Sequence, residues 1–258
     1  MKKNSFWGNR TKSIIKGILP PKIIIGVRRI NTLLCDIFTG KNRKFCRHFS
    51  HDFEIDPYHF SIHQPIIKNE WLEAKLNNLD LALANLQGIR LEPGNIFSFW
   101  HHIGNPKPSR GYHKSRILQR GLPITGTGGG LCQLASGIFE LALRLNLTIL
   151  ERHPHSTDIY DEGDRFTPLG LDAAVVYGYK DLRIYNPTQQ TFVFYFQVSP
   201  TQLQFKAFSD IPIKPFQLQI NRSDFDERRS ARIEVIDAHN NPTQIITSQY
   251  QTLRSLQK

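Results

Sequence analysis

A run of three glycines, Gly128-Gly129-Gly130, leads directly into Leu131-Cys132-Gln133. Glycine tolerates positive φ and lets the backbone come close to another group. Just beyond, Leu134, Ala135, Ile138, Ala142 and Leu145 keep a helical period, so Cys132 falls in the first turn of a helix. Unpaired amides and partial positive charge at that end favour a thiolate, the form in which cysteine is nucleophilic. The same amides, those of Cys132 and Gln133 above all, suit an oxyanion. The structural alternative is a cysteine that only packs, since cysteine is among the most buried residue types.

A nucleophilic thiol needs a base, and the base needs an orienting group. Downstream, the apolar run Leu147–Leu150 predicts a strand that ends in Glu151-Arg152-His153-Pro154-His155-Ser156. His155 is the candidate base, with His153 as its rival. Gly170-Leu171-Asp172-Ala173-Ala174-Val175 predicts a second strand carrying a carboxylate. Asp172 is the candidate orienting group, with Asp181 as its rival. Spacing along the chain is not contact in space, so these pairs stay open at the level of sequence.

The elements that must hold these residues are legible in part. Leu72, Leu76, Leu79, Leu83 and Leu86 alternate spacings of four and three and predict a long helix ending near Gly88. Pro93-Gly94-Asn95 reads as a turn feeding a buried strand, Ile96-Phe97-Ser98-Phe99-Trp100. From Leu171 the texture changes to short alternating runs at 173–179, 182–185, 192–198 and 203–208, which predict an antiparallel meander. A further hairpin is expected from 233–236 and 244–247 across Asn240-Asn241-Pro242. The expected class is α+β, helices first and a mainly antiparallel sheet last.

Several of these stretches resemble the VanW family. Leu91 to Trp100 is similar to its "PGE-FSFW" segment, and Gly128 to Gln133 matches its "GGGxCQ" signature. Arg152 followed by His155 matches an arginine–histidine step, and Gly170, Asp172, Ala173, Asp181-Leu182 and Asn186 match its "G-DAtv…DL…N-T" tail. The resemblance runs from about Trp71 to Val198 and departs mildly at Asp172-Ala173-Ala174, where the pattern more often has Asp-Ala-Thr. It implies a role in bacterial cell-envelope biology and glycopeptide resistance. The order of a helix-initial Cys, a His and an Asp is also similar to the transglutaminase-like cysteine fold. That similarity implies attack by Cys132 on an amide or ester carbonyl, with His155 moving the proton and Asp172 fixing the tautomer. The substrate would be a peptide-linked envelope precursor, with Gly128, Gly129, Gly130, Gln133, Arg152 and Asp181 as binding residues. A competing reading is a non-catalytic module in which the glycine turn cradles a carboxylate or peptide terminus, with Arg152 as counter-charge.

The formal charge of +11 over 258 residues is concentrated at one end. Residues 1–50 carry twelve Lys or Arg against one acid, Asp36, while 51–258 carry 21 of each sign. A basic arm with few aromatics and no recognised binding motif does not predict a nucleic-acid partner. After Pro20-Pro21, residues Ile30, Leu33, Leu34, Ile37 and Phe38 predict one face of an amphipathic helix. Peripheral membrane contact through residues 10–47 is one use of such a helix; packing against the domain is the other. Apolar runs are too short or too interrupted for a secretory signal or a spanning helix. With three sparse cysteines, Cys35, Cys46 and Cys132, the expected location is the cytoplasm or the inner face of its membrane. His48, His51, His59 and His63 lack metal-ligand spacing, so surface histidines in a loop are expected, with neither metal nor cofactor. The expected organisation is an arm at 1–66, a core domain at 67–209 and a β-rich extension at 210–258.

Overall fold

The computed structural model describes residues 21–46, 58–119, 122–160, 165–225 and 228–252. It divides into two compact units, Met1–Arg43 and Lys44–Lys258. In the first, helix α1 spans Pro21–Phe38. Proline opens it where a missing N–H costs nothing and the fixed φ already suits a helix.

The second unit holds the site. Strand β1 (Tyr58–Pro65) precedes helix α2 (Leu72–Leu83), the short strands β2 (Ile89–Leu91) and β3 (Ile96–Ser98), and the single-turn helix α3 (Phe99–Ile103). Strands β4 (Lys114–Gln119) and β5 (Leu122–Thr127) then form a two-stranded hairpin. Helix α4 (Leu131–Arg144) follows, then β6 (Thr148–Glu151) and β7 (Thr157–Asp158). The chain continues through β8 (Arg183–Tyr185), β9 (Phe192–Val198), β10 (Gln202–Ser209), β11 (Gln217–Phe225), β12 (Arg228–Ile236) and β13 (Pro242–Thr252).

The strands form a four-stranded antiparallel sheet in the order β1-β10-β9-β2, a three-stranded sheet β3-β8-β6, and a four-stranded sheet β11-β12-β13-β7. Among the described strands, pairing is antiparallel apart from β13 with β7, which sets Gln251 beside Thr157 and Thr252 beside Asp158; an isolated parallel bridge also joins Phe45 to Ile96. The class is therefore α+β with mostly antiparallel sheets. Alternation places Leu203, Phe205 and Ala207 of β10 on the buried face, where α4 packs. Helix α4 is buried along most of its length, through Leu131, Leu134, Ala135, Ile138, Phe139, Leu141 and Ala142. The helix approaches the sheet closely at Gly137, where a Cβ would lie 1.9 Å from Phe205 Cζ.

Several sequence expectations change here. The strand expected over Ile96–Trp100 stops at Ser98, whose hydroxyl accepts a hydrogen bond from the His101 amide at 3.2 Å and so caps α3. Residues 173–179 form no strand beyond an isolated bridge between Val176 and Lys180. Their amides are satisfied elsewhere, Ala173 N by Ser136 Oγ at 2.8 Å and Ala174 N by His153 O at 2.7 Å. The meander reduces to the β9–β10 hairpin, because β8 pairs with β3 and β6 instead. The expected tail hairpin is present as β12–β13, joined by β11, which was not foreseen although Leu218 and Ile220 alternate within it. His59 and His63 lie exposed on β1 and not in a loop, while His48 and His51 fall outside the described residues. Strands β1 and β11 to β13 lie in the same compact unit as the helices and strands between them.

Gly137→Ala should lower stability by about 1–3 kcal/mol through overpacking. This is opposite in sign to the ~1 kcal/mol that Ala ordinarily gains over Gly inside a helix. Chemical unfolding measures it, and adding Phe205→Leu should recover part of the loss.

Candidate active site

The glycine run is shaped by its neighbours. Gly128 and Gly130 have φ of +88° and +98°, a region that side chains disfavour. Between them Gly129 has no room for a Cβ, which would meet Ser115 Oγ at 1.9 Å and Arg116 O at 2.7 Å. Asn78 of α2, fully buried, donates to Gly129 O at 3.2 Å and to His113 O at 3.1 Å, and accepts from His113 N at 2.8 Å. The turn is thus clamped between α2 and the β4–β5 hairpin. It delivers Gly130 as the N-cap of α4, with no side chain bonded to the first-turn amides.

Cys132 stands in that first turn, partly exposed, its Sγ donating to Val175 O at 3.7 Å. One turn further, Ser136 accepts from Ala173 N and donates to Cys132 O at 2.7 Å. This ties the helix to the segment that carries Asp172. His155 lies four residues beyond β6, and its Nδ1 is 2.7 Å from Asp172 Oδ2. The same oxygen accepts from the His155 amide at 2.7 Å. A carboxylate facing Nδ1 fixes the proton there and leaves Nε2 for the thiol.

Asp172 is 8% exposed and its second oxygen is equally occupied. Oδ1 accepts from Tyr250 OH at 2.5 Å and from Arg152 Nη2 at 2.9 Å. Arg152, its side chain only 5% exposed, also donates to Asp172 O and Gly170 O at 2.7 Å and to Ser248 Oγ. Its guanidinium lies 4.9 Å above the Phe139 ring.

Electrostatics follow this geometry. Burial alone would push the Cys132 thiol up, but the hydrogen bond and charge of His155 outweigh it, so its pKa falls. Burial would lower His155, but Asp172 and Cys132 together raise it to about 10. Burial also opposes the Asp172 anion; His155 and Arg152 overcome this and hold it below the ordinary carboxylate range. A thiol of lowered pKa, an imidazole of raised pKa, a carboxylate and a guanidinium therefore stand in line.

The structure brings together Cys132, His155, Asp172, Arg152 and the glycine turn, and leaves other candidates apart. His153 pairs with Glu151 Oε1 at 3.0 Å. Asp181 accepts from Ser98 Oγ at 2.6 Å, Trp100 N at 3.1 Å and Arg183 Nε at 3.1 Å, organising α3 and β8. The Gln133 side chain is buried and donates to Pro65 O at 2.9 Å. Arg152 commits its donors to Asp172, Gly170 and Ser248 and so positions the carboxylate. Ser136, Asn78, Ser248 and Tyr250 were not anticipated. Ser136 had a signal, lying four residues after Cys132 on the same helix face; Tyr250, 78 residues from Asp172, had none. A cavity lined by His155, Asp172, Tyr250, Tyr160, Phe166 and Leu118 adjoins the site. Among the described residues no cluster of His, Cys, Asp and Glu is arranged to hold a metal.

A family model described as "VanW like protein" matches residues 74–208. The vancomycin B-type resistance protein VanW of Enterococcus faecalis is 30% identical over 138 residues, 54% of this chain and 50% of that protein. The uncharacterized protein YoaR of Bacillus subtilis is 29% identical over 118 residues, 46% of this chain and 37% of that one. The matched segments thus span half or less of either relative. No solved structure matches.

In protein with Cys35→Ser and Cys46→Ser, iodoacetamide should alkylate Cys132 with an apparent pKa below the ~8.5 of a free thiol. Asp172→Asn removes the anion that keeps His155 protonated, so the apparent thiol pKa should rise back toward ~8.5. A second measurement concerns acid stability. A carboxylate held below its ordinary value of 3.8 contributes stability that is fully present above 3.8 and lost as the pH falls through the depressed folded value. Tyr250→Phe deletes one donor to that anion. Unfolding at neutral pH should show a loss of about 1 kcal/mol, and the acid limb of the stability profile should move to higher pH.

Proposed function

We propose that this chain, which belongs to the VanW-like family, is a thiol-dependent acyl-transfer or amide-hydrolysing enzyme with Cys132 as its nucleophile. The observation that carries the reading is the hydrogen-bonded line from Asp172 through His155 to a first-turn cysteine of lowered pKa. A packing cysteine has no use for a buried, doubly anchored imidazole; Cys46, buried against the Ile96 carbonyl, is pushed up to about 12 and illustrates the inert case.

The chemistry follows from the roles. The Cys132 thiolate attacks a carbonyl carbon, and the carbonyl π electrons move to oxygen, where the amides of Cys132 and Gln133 stabilise them. Collapse of the tetrahedral species breaks the C–N bond, and the departing amine takes its proton from the His155 imidazolium. Water or an acceptor amine then attacks the thioester, giving its proton to His155 and expelling the thiolate. Asp172 keeps the imidazole in one tautomer and orientation throughout, held in turn by Arg152 and Tyr250. The order of cysteine on a helix followed by histidine and aspartate is the order of the transglutaminase-like cysteine fold, an analogy that supports the same reaction class. The family's link to vancomycin resistance, carried in the name of the Enterococcus faecalis relative, favours a peptide-linked envelope precursor as substrate.

Activated esters of short peptides test this without a known substrate. Intact-mass analysis should find one acyl group on the protein, absent in Cys132→Ser and formed ~100-fold more slowly in His155→Ala. Peptide stems of wall precursors come next. A thiol that alkylates readily but forms no acyl adduct with any ester would overturn the acyl-transfer reading.

A further inference from the structure

Helix α1 carries an apolar face that the fold leaves in solvent. Ile23, Val27, Ile30, Leu33, Leu34, Ile37 and Phe38 are all exposed, Phe38 to 85%. At 100° per residue these seven positions fall within an arc of roughly 140°, the width of a buried helix face and not of a scatter of surface residues. Arg28, Asn31, Thr32 and Cys35 lie on the other side of the helix at that spacing.

Charge says what covers such a face. Residues 1–50 hold twelve Lys or Arg and one acid. That acid, Asp36, is buried at 6% exposure, so it adds little negative potential to the surface. Lys41, Arg43 and Lys44, directly after the helix, are exposed. An apolar stripe whose exposed charged neighbours, among the described residues, are cations suits an interface that is apolar within and anionic at its rim, which is the cross-section of an acidic phospholipid leaflet. A protein groove would have to supply matching acids, and 44–258 is close to charge balance. The helix is 18 residues long, and no described helix is long and apolar enough to cross a membrane. Its place is therefore in the plane of the surface.

We propose that α1 and its basic flanks dock this protein on an anionic phospholipid surface, with Ile30, Leu33, Leu34 and Ile37 entering the acyl boundary. Myristoylation-like anchoring is not required, because apolar burial and polybasic attraction act together. This proposal is independent of the thiol chemistry.

The test is co-sedimentation of the full chain with vesicles of phosphatidylglycerol and phosphatidylcholine, against vesicles of phosphatidylcholine alone. Binding should require the anionic lipid and weaken as salt rises. Leu33→Glu, Leu34→Glu and Ile37→Glu together should weaken it about tenfold or more. The same variant should keep the wild-type melting temperature and Cys132 alkylation rate, which shows that the 44–258 unit is intact. No sedimentation with anionic vesicles, or equal binding by the triple variant, would overturn the proposal. So would a concentration-dependent dimer that the triple variant abolishes without any vesicle binding, since the face would then belong to a second copy.

Discussion

A carboxylate buried beside a hydrophobic core is tolerated only if every lone-pair direction finds a donor. Asp172 meets that condition with four: the ring and the amide of His155 on one oxygen, Tyr250 and Arg152 on the other. These donors come from separate parts of the chain. Arg152 and His155 follow β6, and Tyr250 arrives on β13. The Asp172 segment is itself tied to α4 through Ser136. The anion is therefore stable only when helix, post-β6 segment and C-terminal sheet are all in place.

The same interaction sets the state of the thiol. A guanidinium, a carboxylate and an imidazolium in line leave one net positive charge, carried at the imidazolium end that faces Cys132, so that end favours negative charge. That end is occupied by Cys132, beneath the uncapped amides of α4. Breaking the line at any point leaves an unpaired charge inside the protein, at a cost larger than the pair's net worth. Arg152 thus anchors Asp172 as His155 does, on the other oxygen of the carboxylate. The carbonyls of Gly170 and Asp172, the Ser248 hydroxyl and the Phe139 ring hold it in one orientation.

What the sequence discloses of this arrangement follows from the range of each interaction. The glycine turn and the helix-initial cysteine are local features, and residue types and periodicity reveal them within a dozen positions. The choice of His155 over His153 is decided by Asp172, seventeen residues on, and by Glu151, which engages the other ring. Residues 173–179 read as a strand from their apolar types, but only 173–175 are buried, and Ser136 Oγ and the His153 carbonyl satisfy their first amides, so no ladder forms. Ser98 reads as part of an aromatic strand, yet its hydroxyl caps a helix, a role that composition does not separate from strand content. Tyr250 is the extreme case: a parallel pairing of β13 with the two-residue strand β7 delivers it, and no local pattern announces such a pairing.

That delivery bears on where the functional unit ends. The family match stops at residue 208, and the strands beyond it carry Tyr250 and Ser248. Without them Oδ1 of Asp172 would keep Arg152 alone, and Arg152 would lose its hydroxyl partner. Both losses fall on the carboxylate that holds His155 protonated, so the tail acts on the thiol at two removes. A relative that shares only the matched segment must supply those donors from a different element, or work with a less firmly held imidazole. The 74–208 segment carries Cys132, His155, Asp172 and Arg152, and β13 adds the Ser248 and Tyr250 hydroxyls that hold Arg152 and Asp172 in place.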